Sequence, residues 1–292
     1  LVTLAAPETV YRIAATGLLE QVHLPLPETE SGNLGPAAVG ATRTALEAAT
    51  AAVVGPGLGS EESVRLFLES LLLSDPDSRG ADPAPETPLV LDADALNARF
   101  EGIDTLTMLK TVFAEGLAGN VAVVSSFGTE SAVLLDLVAR ADRTVPVIFV
   151  DTLKMFAETL NYRDTLIKRL GFTDSRTVTP LPDAIASKDA TGLRWSYDPD
   201  GCCEIRKVEP MKRAKGGLDA WISGRKAFQS VTRQNLPRFE VEDGRLKLNP
   251  LGDWTKADLE AYFAERDLPR HPLEAQGYLS IGCEPCTSKV LP

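Results

Sequence analysis

The sequence predicts an α/β protein built on parallel sheet, and three features predict it. Short apolar strands alternate with amphipathic helices. The alternation occurs twice, once before residue 97 and again from about 120 to 190. Several strands run out into small or polar residues, as in NVAVVSSFGTES, VPVIFVDT and PLVLDADALN, which is where open α/β sheets place their ligands.

Taken in order, LVTLAA reads as a short strand, followed by a helix and a loop rich in Pro, Glu and Gly (LPLPETESGNLGPAA). A helix (TRTALEAAT), a buried strand (AAVVGPGLG) and the helix SVRLFLESLLL come next. A proline-rich loop then leads to the strand in PLVLDADALN. Three strands make an incomplete parallel layer. From Ala98, ARFEGIDTLTMLKTVFAEGL reads as two short helices. The strand in NVAVVSSFGTES, the helix SAVLLDLVARA, the strand VPVIFVDT and the helical FAETLNYRDTLIKRLG continue a βαβα order. The last third is more irregular; its clearest helix lies in NPLGDWTKADLEAYFAERD, capped by Thr255 with Asp258 three residues on.

At 292 residues and 44% hydrophobic composition, the chain is long enough to bury a real core. No run approaches the roughly 20 apolar residues of a membrane span. Glu8 interrupts the opening stretch too early for a signal peptide, so a soluble cytoplasmic protein is expected. Charge is uneven: residues 1 to 97 hold 14 acids against 4 Arg and no Lys, whereas the remainder is close to balanced. This distribution does not suit a nucleic-acid phosphate backbone. The scattered cations of the second part suit a small anion better.

Four cysteines occur as an adjacent pair, Cys202 and Cys203, and as a C-x-x-C, Cys283 and Cys286. Neighbouring cysteines close a disulfide only through a strained ring, so their partners lie elsewhere. Four thiolates so arranged can close a tetrahedral sulfur site for zinc or an iron–sulfur cluster; the alternative is four buried reduced thiols. Gly282 and Pro285 around the C-x-x-C favour a metal-binding knuckle. Spacing does not choose the metal, although adjacent cysteines are awkward at one zinc ion and easier across a larger cluster.

The loop SSFGTES, with Ser125, Ser126, Phe127 and Gly128, joins a strand to a helix, so its N–H groups would face an anion. The spacing alone favours an ordinary strand-to-helix turn, and the loop lacks the lysine of a Walker motif. Asp151 and Thr152, ending the next strand, add weight to a ligand site there. His23 and His271 stand far apart and form no constellation. Trp221, Trp254 and Tyr278 read as core or shell packing rather than a base-stacking platform.

Together these motifs resemble a family. Residues 98–292, through SSFGTESAVLL, DTLKMFAET, CCEIRKVEPMKRA, AWISGRKAFQSVTR, NPLGDWT and QGYLSIGCEPCT, resemble the assimilatory adenylyl-sulfate reductases, the cluster-containing branch of the phosphoadenylyl-sulfate reductase family. The resemblance implies an adenine-nucleotide alpha-hydrolase-like (ATP pyrophosphatase-like) α/β domain with a parallel sheet. It implies a [4Fe-4S] cluster on Cys202, Cys203, Cys283 and Cys286. It also implies a substrate site drawing on Ser125, Ser126, Phe127, Gly128, Asp151, Thr152, Arg206, Lys207, Arg225 and Arg233, with Lys207 supporting the chemistry beside the sulfate. Leu153 departs from the family, which usually has glycine there.

The implied reaction is thioredoxin-dependent reduction of adenylyl sulfate to sulfite and AMP. A cysteine on a C-terminal Glu-Cys-Gly-Leu/Ile-His tail attacks the sulfur, and the cluster is not the electron donor. The sequence stops at Pro292 without that motif, so this chain is expected to bind adenylyl sulfate or AMP without turning over. The implied partners are adenylyl sulfate or AMP and thioredoxin, with a homo-oligomer admitted and neither nucleic acid nor membrane among them.

Residues 1–97, through LVTLAAPE, AAVVGPGLG and PLVLDADALN, resemble part of the ADP-dependent NAD(P)H-hydrate dehydratases, which implies a partial ribokinase-like α/β fragment. Asp92, Asp94 and Asn97 match that family's substrate-side motif, and its Gly-Thr-Gly-Asp segment is absent. Leu96-Asn97 reads as a join between two unrelated stretches. Two other readings stay open: an adenylyl-sulfate or AMP-binding module without turnover, and an adenylating ATP pyrophosphatase, which would need a fuller SGGxDS-type loop.

Overall fold

The computed structural model describes residues 2–17, 21–55, 58, 61–72, 89–229 and 236–290. They form two compact units, Leu1–Ile103 and Asp104–Pro292. The expected boundary after residue 97 falls inside a helix, Ala93–Arg99, whose Ala95 and Ala98 pack into the core of the first unit.

The first unit runs β1 (Thr3–Pro7), α1 (Glu8–Gly17), β2 (Val22–Leu26), α2 (Val39–Glu47), β3 (Ala52–Val54), α3 (Glu62–Leu72), β4 (Leu89–Leu91) and α4 (Ala93–Arg99). Its strands form two separate parallel pairs, β1 with β2 and β3 with β4, rather than the single three-stranded layer expected. β2, with the sequence VHLPL, lies partly in a stretch read as loop; Pro25 cannot donate to a ladder and is tolerated because the strand is the edge of a two-stranded pair. Leu26, Leu34, Leu46, Val64, Phe67, Leu68 and Leu71 form the core. Asp92 caps α4 through the Ala95 N–H at 3.0 Å. A Cβ on Gly55, which has φ +139°, would fall 1.8 Å from that carboxylate, so only glycine permits the approach.

The second unit opens with α5 (Thr105–Ala114), β5 (Val121–Val124), α6 (Ser131–Ala141), β6 (Val147–Val150), α7 (Ala157–Leu170) and β7 (Ser175–Val178). Short helices follow: α8 (Pro182–Lys188), α9 (Arg194–Tyr197), α10 (Pro199–Cys203) and α11 (Glu209–Ala214). β8 (Ala220–Ile222), β9 (Phe239–Glu242), β10 (Arg245–Leu248) and α12 (Lys256–Glu265) complete it. The six strands stand in the order β7-β6-β5-β8-β10-β9, parallel except for β9 at the edge. β6 and β8 are buried along their whole length, as strands covered on both faces must be. The chain leaves β5 toward β6 on one side and returns to β8 on the other, so the strand order reverses at β5. That switch point leaves a crevice beyond the carboxyl ends of β5 and β8.

Two features of this unit position the site. Asp243 and Gly244 both have positive φ, 54° and 70°, the geometry of a two-residue hairpin turn joining β9 to β10. Between α10 and α11 the helix widens into a π-turn over Glu204–Val208, where the Glu209 N–H bonds to the Glu204 carbonyl. Pro210 has no N–H to offer the carbonyl four residues back, which accounts for the wider turn. The capping box of Thr255 and Asp258 is present, with the helix starting at Lys256. Among the described residues no helix is long and apolar enough to cross a membrane.

Candidate functional site

A cleft of about 820 Å³ opens at the switch point. The loop after β5 lines it with Ser125, Ser126 and Gly128, the end of β6 supplies Thr152, the π-turn supplies Lys207, and the segment after β8 supplies Arg225 and Lys226. Lys256 and the stretch from Leu279 to Cys283 complete the wall. Among the described residues four cations and a single carboxylate, Glu130, face this space. That carboxylate is engaged by Lys226, whose Nζ lies 2.8 Å from Glu130 Oε2 with its own side chain 4% exposed. The balance is positive and suits an anion.

The loop is shaped by an aromatic anchor. Phe127 takes φ +51° and is fully buried, its ring edge-on to Phe149 at 5.5 Å. Its N–H donates to Ser125 Oγ at 3.1 Å, and the Ser131 N–H donates to the Gly128 carbonyl at 3.1 Å. α6 then begins without a side-chain cap, leaving first-turn N–H groups for a ligand or water. Phe127 was expected in the substrate site; it lies beneath the loop and supports it instead.

Arg206 is also placed differently from expectation. It is buried, donating Nε and Nη2 to Asp189 Oδ2 at 2.9 and 2.6 Å and Nη1 to the Thr152 carbonyl at 2.9 Å. Burial opposes ionisation of Asp189, but the Arg194 N–H and the Arg206 guanidinium outweigh it and hold the carboxyl below its usual range. The π-turn thus sends Arg206 inward to brace the β6 loop and leaves its neighbour Lys207 exposed on the cleft. Asp151 does not line the cleft either. Its Oδ1 accepts the Leu153 N–H at 2.8 Å and stabilises a turn in which Leu153 has φ +58°. The backbone therefore holds at Leu153 the left-handed conformation that glycine favours. Arg233 lies outside the described residues.

Cys283 lines the cleft, and Cys202 and Cys286 each stand near enough to Cys203 and Cys283 to interact electrostatically. Cys202 is buried at the end of α10, and Cys203 and Cys286 are exposed. Burial raises the Cys202 thiol against the opposing Arg206 guanidinium, with Asp189, Cys203 and Cys283 adding to the rise. Burial likewise raises Cys286, with Cys283 and Cys203 contributing. Cys283 Sγ is 3.0 Å from Thr152 Oγ1, and a bridge pairs Cys283 with Met155. The Cys286 N–H returns to the Cys283 carbonyl at 3.0 Å, forming a compact knuckle. Among the described residues no three His, Cys, Asp or Glu side chains converge on a point that one metal ion could occupy. Four cysteine sulfurs are a donor set suited to zinc or to an iron–sulfur cluster.

Outside the cleft, Asp92 is committed to capping α4; burial raises its carboxyl despite the Ala95 N–H. His271 is buried, its Nδ1 accepting the Leu273 N–H at 3.2 Å and its Nε2 3.1 Å from Thr159 Oγ1. Trp221 belongs to the core with Ala122 and Ile148. Trp254 donates Nε1 to Thr105 Oγ1 at 2.9 Å, and Tyr278 stacks edge-on with Phe156. Sequence reasoning missed Lys226 and Lys256, although each sits within a quoted stretch, AWISGRKAFQSVTR and the WTKADL helix start.

The family model described as "Phosphoadenosine phosphosulfate reductase domain" matches residues 120–289. An adenosine 5'-phosphosulfate reductase of Mesorhizobium japonicum is 44% identical over 200 residues, covering 68% of this chain and 79% of that one. Another, from Chelativorans sp., is 48% identical over 174 residues, covering 60% and 71%. A phosphoadenosine 5'-phosphosulfate reductase of Xanthomonas axonopodis pv. citri is 37% identical over 196 residues, covering 65% and 80%. Among solved structures, phosphoadenylyl-sulfate reductase from Candida auris, in a phosphate complex, aligns with TM-score 0.58 and 29% identity, covering 67% of this chain and 96% of that one.

Proposed function

The chain belongs to the phosphoadenosine phosphosulfate reductase domain family, and from that premise we propose that it serves the reduction of adenylyl sulfate to sulfite and AMP with thioredoxin as reductant. The carrying observation is the cleft at the switch point, where the β5 loop meets Lys207, Arg225 and the cysteine knuckle. The nucleotide's phosphate end lies against Ser125, Ser126 and Gly128. The sulfate lies toward Lys207 and Arg225, whose positive charges oppose the negative charge developing there.

In this reading Cys202, Cys203, Cys283 and Cys286 hold a [4Fe-4S] cluster. When bound, the cluster supplies electrostatic organisation beside the sulfate rather than electrons. The chain's own residues bind and orient. Arg206 fixes the Thr152 carbonyl, Thr152 contacts Cys283, and Lys207 stands on the next position of the same turn.

The chemistry is a thiolate displacement at sulfur. A cysteine other than the four ligands, not among these 292 residues, attacks, the bond from sulfur to the bridging oxygen breaks, and AMP leaves with the electron pair. One thioredoxin thiolate then attacks the sulfur of the S-sulfonated cysteine and sulfite leaves, and the second thioredoxin thiol resolves the mixed disulfide, freeing the cysteine and leaving thioredoxin as the disulfide. The four cysteines tie the reading to adenylyl sulfate rather than its 3'-phosphorylated form, because in the family they mark that branch.

The test is equilibrium binding. The chain is expected to bind both adenylyl sulfate and AMP, and Lys207→Ala is expected to weaken adenylyl sulfate more than AMP, since only the former carries the sulfate. Equal loss of both ligands removes Lys207 from the sulfate, and binding of neither overturns the reading.

A further inference from the structure

A buried charge network lies behind one of the cleft cations. In the hairpin, Lys247 of β10 stands opposite Glu240 of β9, and Glu240 and Glu242, two apart on one strand, share a face. Lys247 Nζ lies 2.8 Å from Glu240 Oε1 and 2.5 Å from Glu242 Oε2, with the lysine side chain 1% exposed. An ammonium buried so completely needs its carboxylates ionised and fixed, because losing a partner leaves an uncompensated charge. Burial opposes ionisation of both glutamates, but Lys247 outweighs it and holds them below the usual range. Asn249 Nδ2 donates to the same Glu240 Oε1 at 3.0 Å and its Oδ1 accepts from Ser223 Oγ at 2.6 Å, which ties the network to the segment carrying Arg225.

Glu242 also faces outward. Its Oε2 is 3.7 Å from Arg225 Nη1, and its Oε1 is 3.7 Å from Lys215 Nζ, a group stacked over the Trp221 ring at 3.8 Å. Arg225 lines the cleft with its side chain 45% exposed. A long, exposed arginine ordinarily samples many rotamers. A carboxylate held by the buried Lys247 gives one edge of the guanidinium a neighbour 3.7 Å away and leaves its other donors for the cleft. Glu242 is shared among three cations, so it orients Arg225 without neutralising it.

We propose that Glu242 is a positioning residue: braced by the buried Lys247, it holds Arg225 in the orientation that meets the anionic end of a nucleotide sulfate. This rests on the adenylyl-sulfate reading of the cleft. The test is the affinity of the whole chain for adenylyl sulfate and AMP. Glu242→Asp keeps the charge and withdraws the carboxylate by one methylene. It is expected to weaken adenylyl sulfate about 3- to 5-fold, the scale of a part-exposed ion pair, with less effect on AMP. In an Arg225→Gln background the same change should add no further loss. Equal losses in both backgrounds overturn the proposal, as does unchanged affinity or tighter adenylyl-sulfate binding in Glu242→Gln, which would make Glu242 a quencher. Should the Glu242 variants not fold, Arg225→Lys leaves the network intact and removes the guanidinium fork. The same selective loss is then expected, and unchanged affinity overturns the proposal. If the unaltered chain binds neither ligand, the cleft reading falls together with this inference; if it binds both without dependence on Glu242 or Arg225, only this inference falls.

Discussion

Arg206 and Asp189 form an ion pair whose side chains are 5% and 0% exposed, and the same guanidinium donates to the Thr152 carbonyl. The pair connects the π-turn below the adjacent cysteines to the loop that ends β6. Removing one partner would leave a buried charge uncompensated. Asp189→Ala is expected to cost about 3–5 kcal/mol of stability and to weaken adenylyl-sulfate binding by loosening Thr152. Denaturant unfolding and calorimetric titration check this; a loss below about 1 kcal/mol would mean that Arg206 finds another partner.

Leu153 supplies a test of opposite sign. Its φ of +58° costs a non-glycine residue roughly 1–2 kcal/mol, and glycine at an ordered position gives back roughly 0.5–1. The side chain is 55% exposed, so little packing is lost. Leu153→Gly should therefore leave stability unchanged or raise it by up to about 1 kcal/mol, whereas Leu153→Val should lower it. A melting temperature that drops on Leu153→Gly would show that the side chain makes a contact worth more than the backbone strain.

His271 predicts a pH dependence. Burial lowers its pKa from 6.5 to about 4, with Glu158 opposing weakly. Between these values the unfolded chain binds a proton that the folded chain does not. Its contribution to stability is therefore complete above about pH 6.5 and is lost as pH falls toward 4, by at most roughly 3 kcal/mol. His271→Asn keeps an acceptor for the Leu273 N–H and removes the titration. The melting-temperature gap between the parent chain and this variant should narrow from pH 7 to pH 4; a constant gap would exclude the histidine as the source.

The sequence exposed the parts of the fold that rest on local patterning. The all-apolar β6, the loop between β5 and α6 and the Thr255 capping box could be read because strand burial, small residues and capping are short-range signals. The β9–β10 hairpin was missed although Asp243-Gly244 is a strong turn signal, because RLKL places Lys247 where a buried apolar residue is expected. Only Glu240 and Glu242 across the ladder make that lysine tolerable, and a cross-strand pair is invisible along the chain. The same limit applies to Arg206 and Lys207. They are adjacent and chemically alike, and only their places on the turn at Glu204–Val208 send one into the interior and the other to the cleft.

The cysteines give the last prediction. The thiols of Cys202 and Cys286 are raised by burial and by their sulfur neighbours, a set that remains unfavourable as bare thiolates and becomes favourable once metal shares the charge. Protein prepared without oxygen should be brown and carry about four irons per chain, and Cys203→Ser should bleach it. Stoichiometric zinc with no iron in such a preparation would replace the cluster with a mononuclear site. In the cluster reading all four thiols are ligands and none of them is the nucleophile, so a polypeptide of these 292 residues should bind adenylyl sulfate and release no sulfite with thioredoxin. Sulfite produced at enzymatic rates would mean that one of the four thiols is free to react and that the four-ligand assignment is wrong.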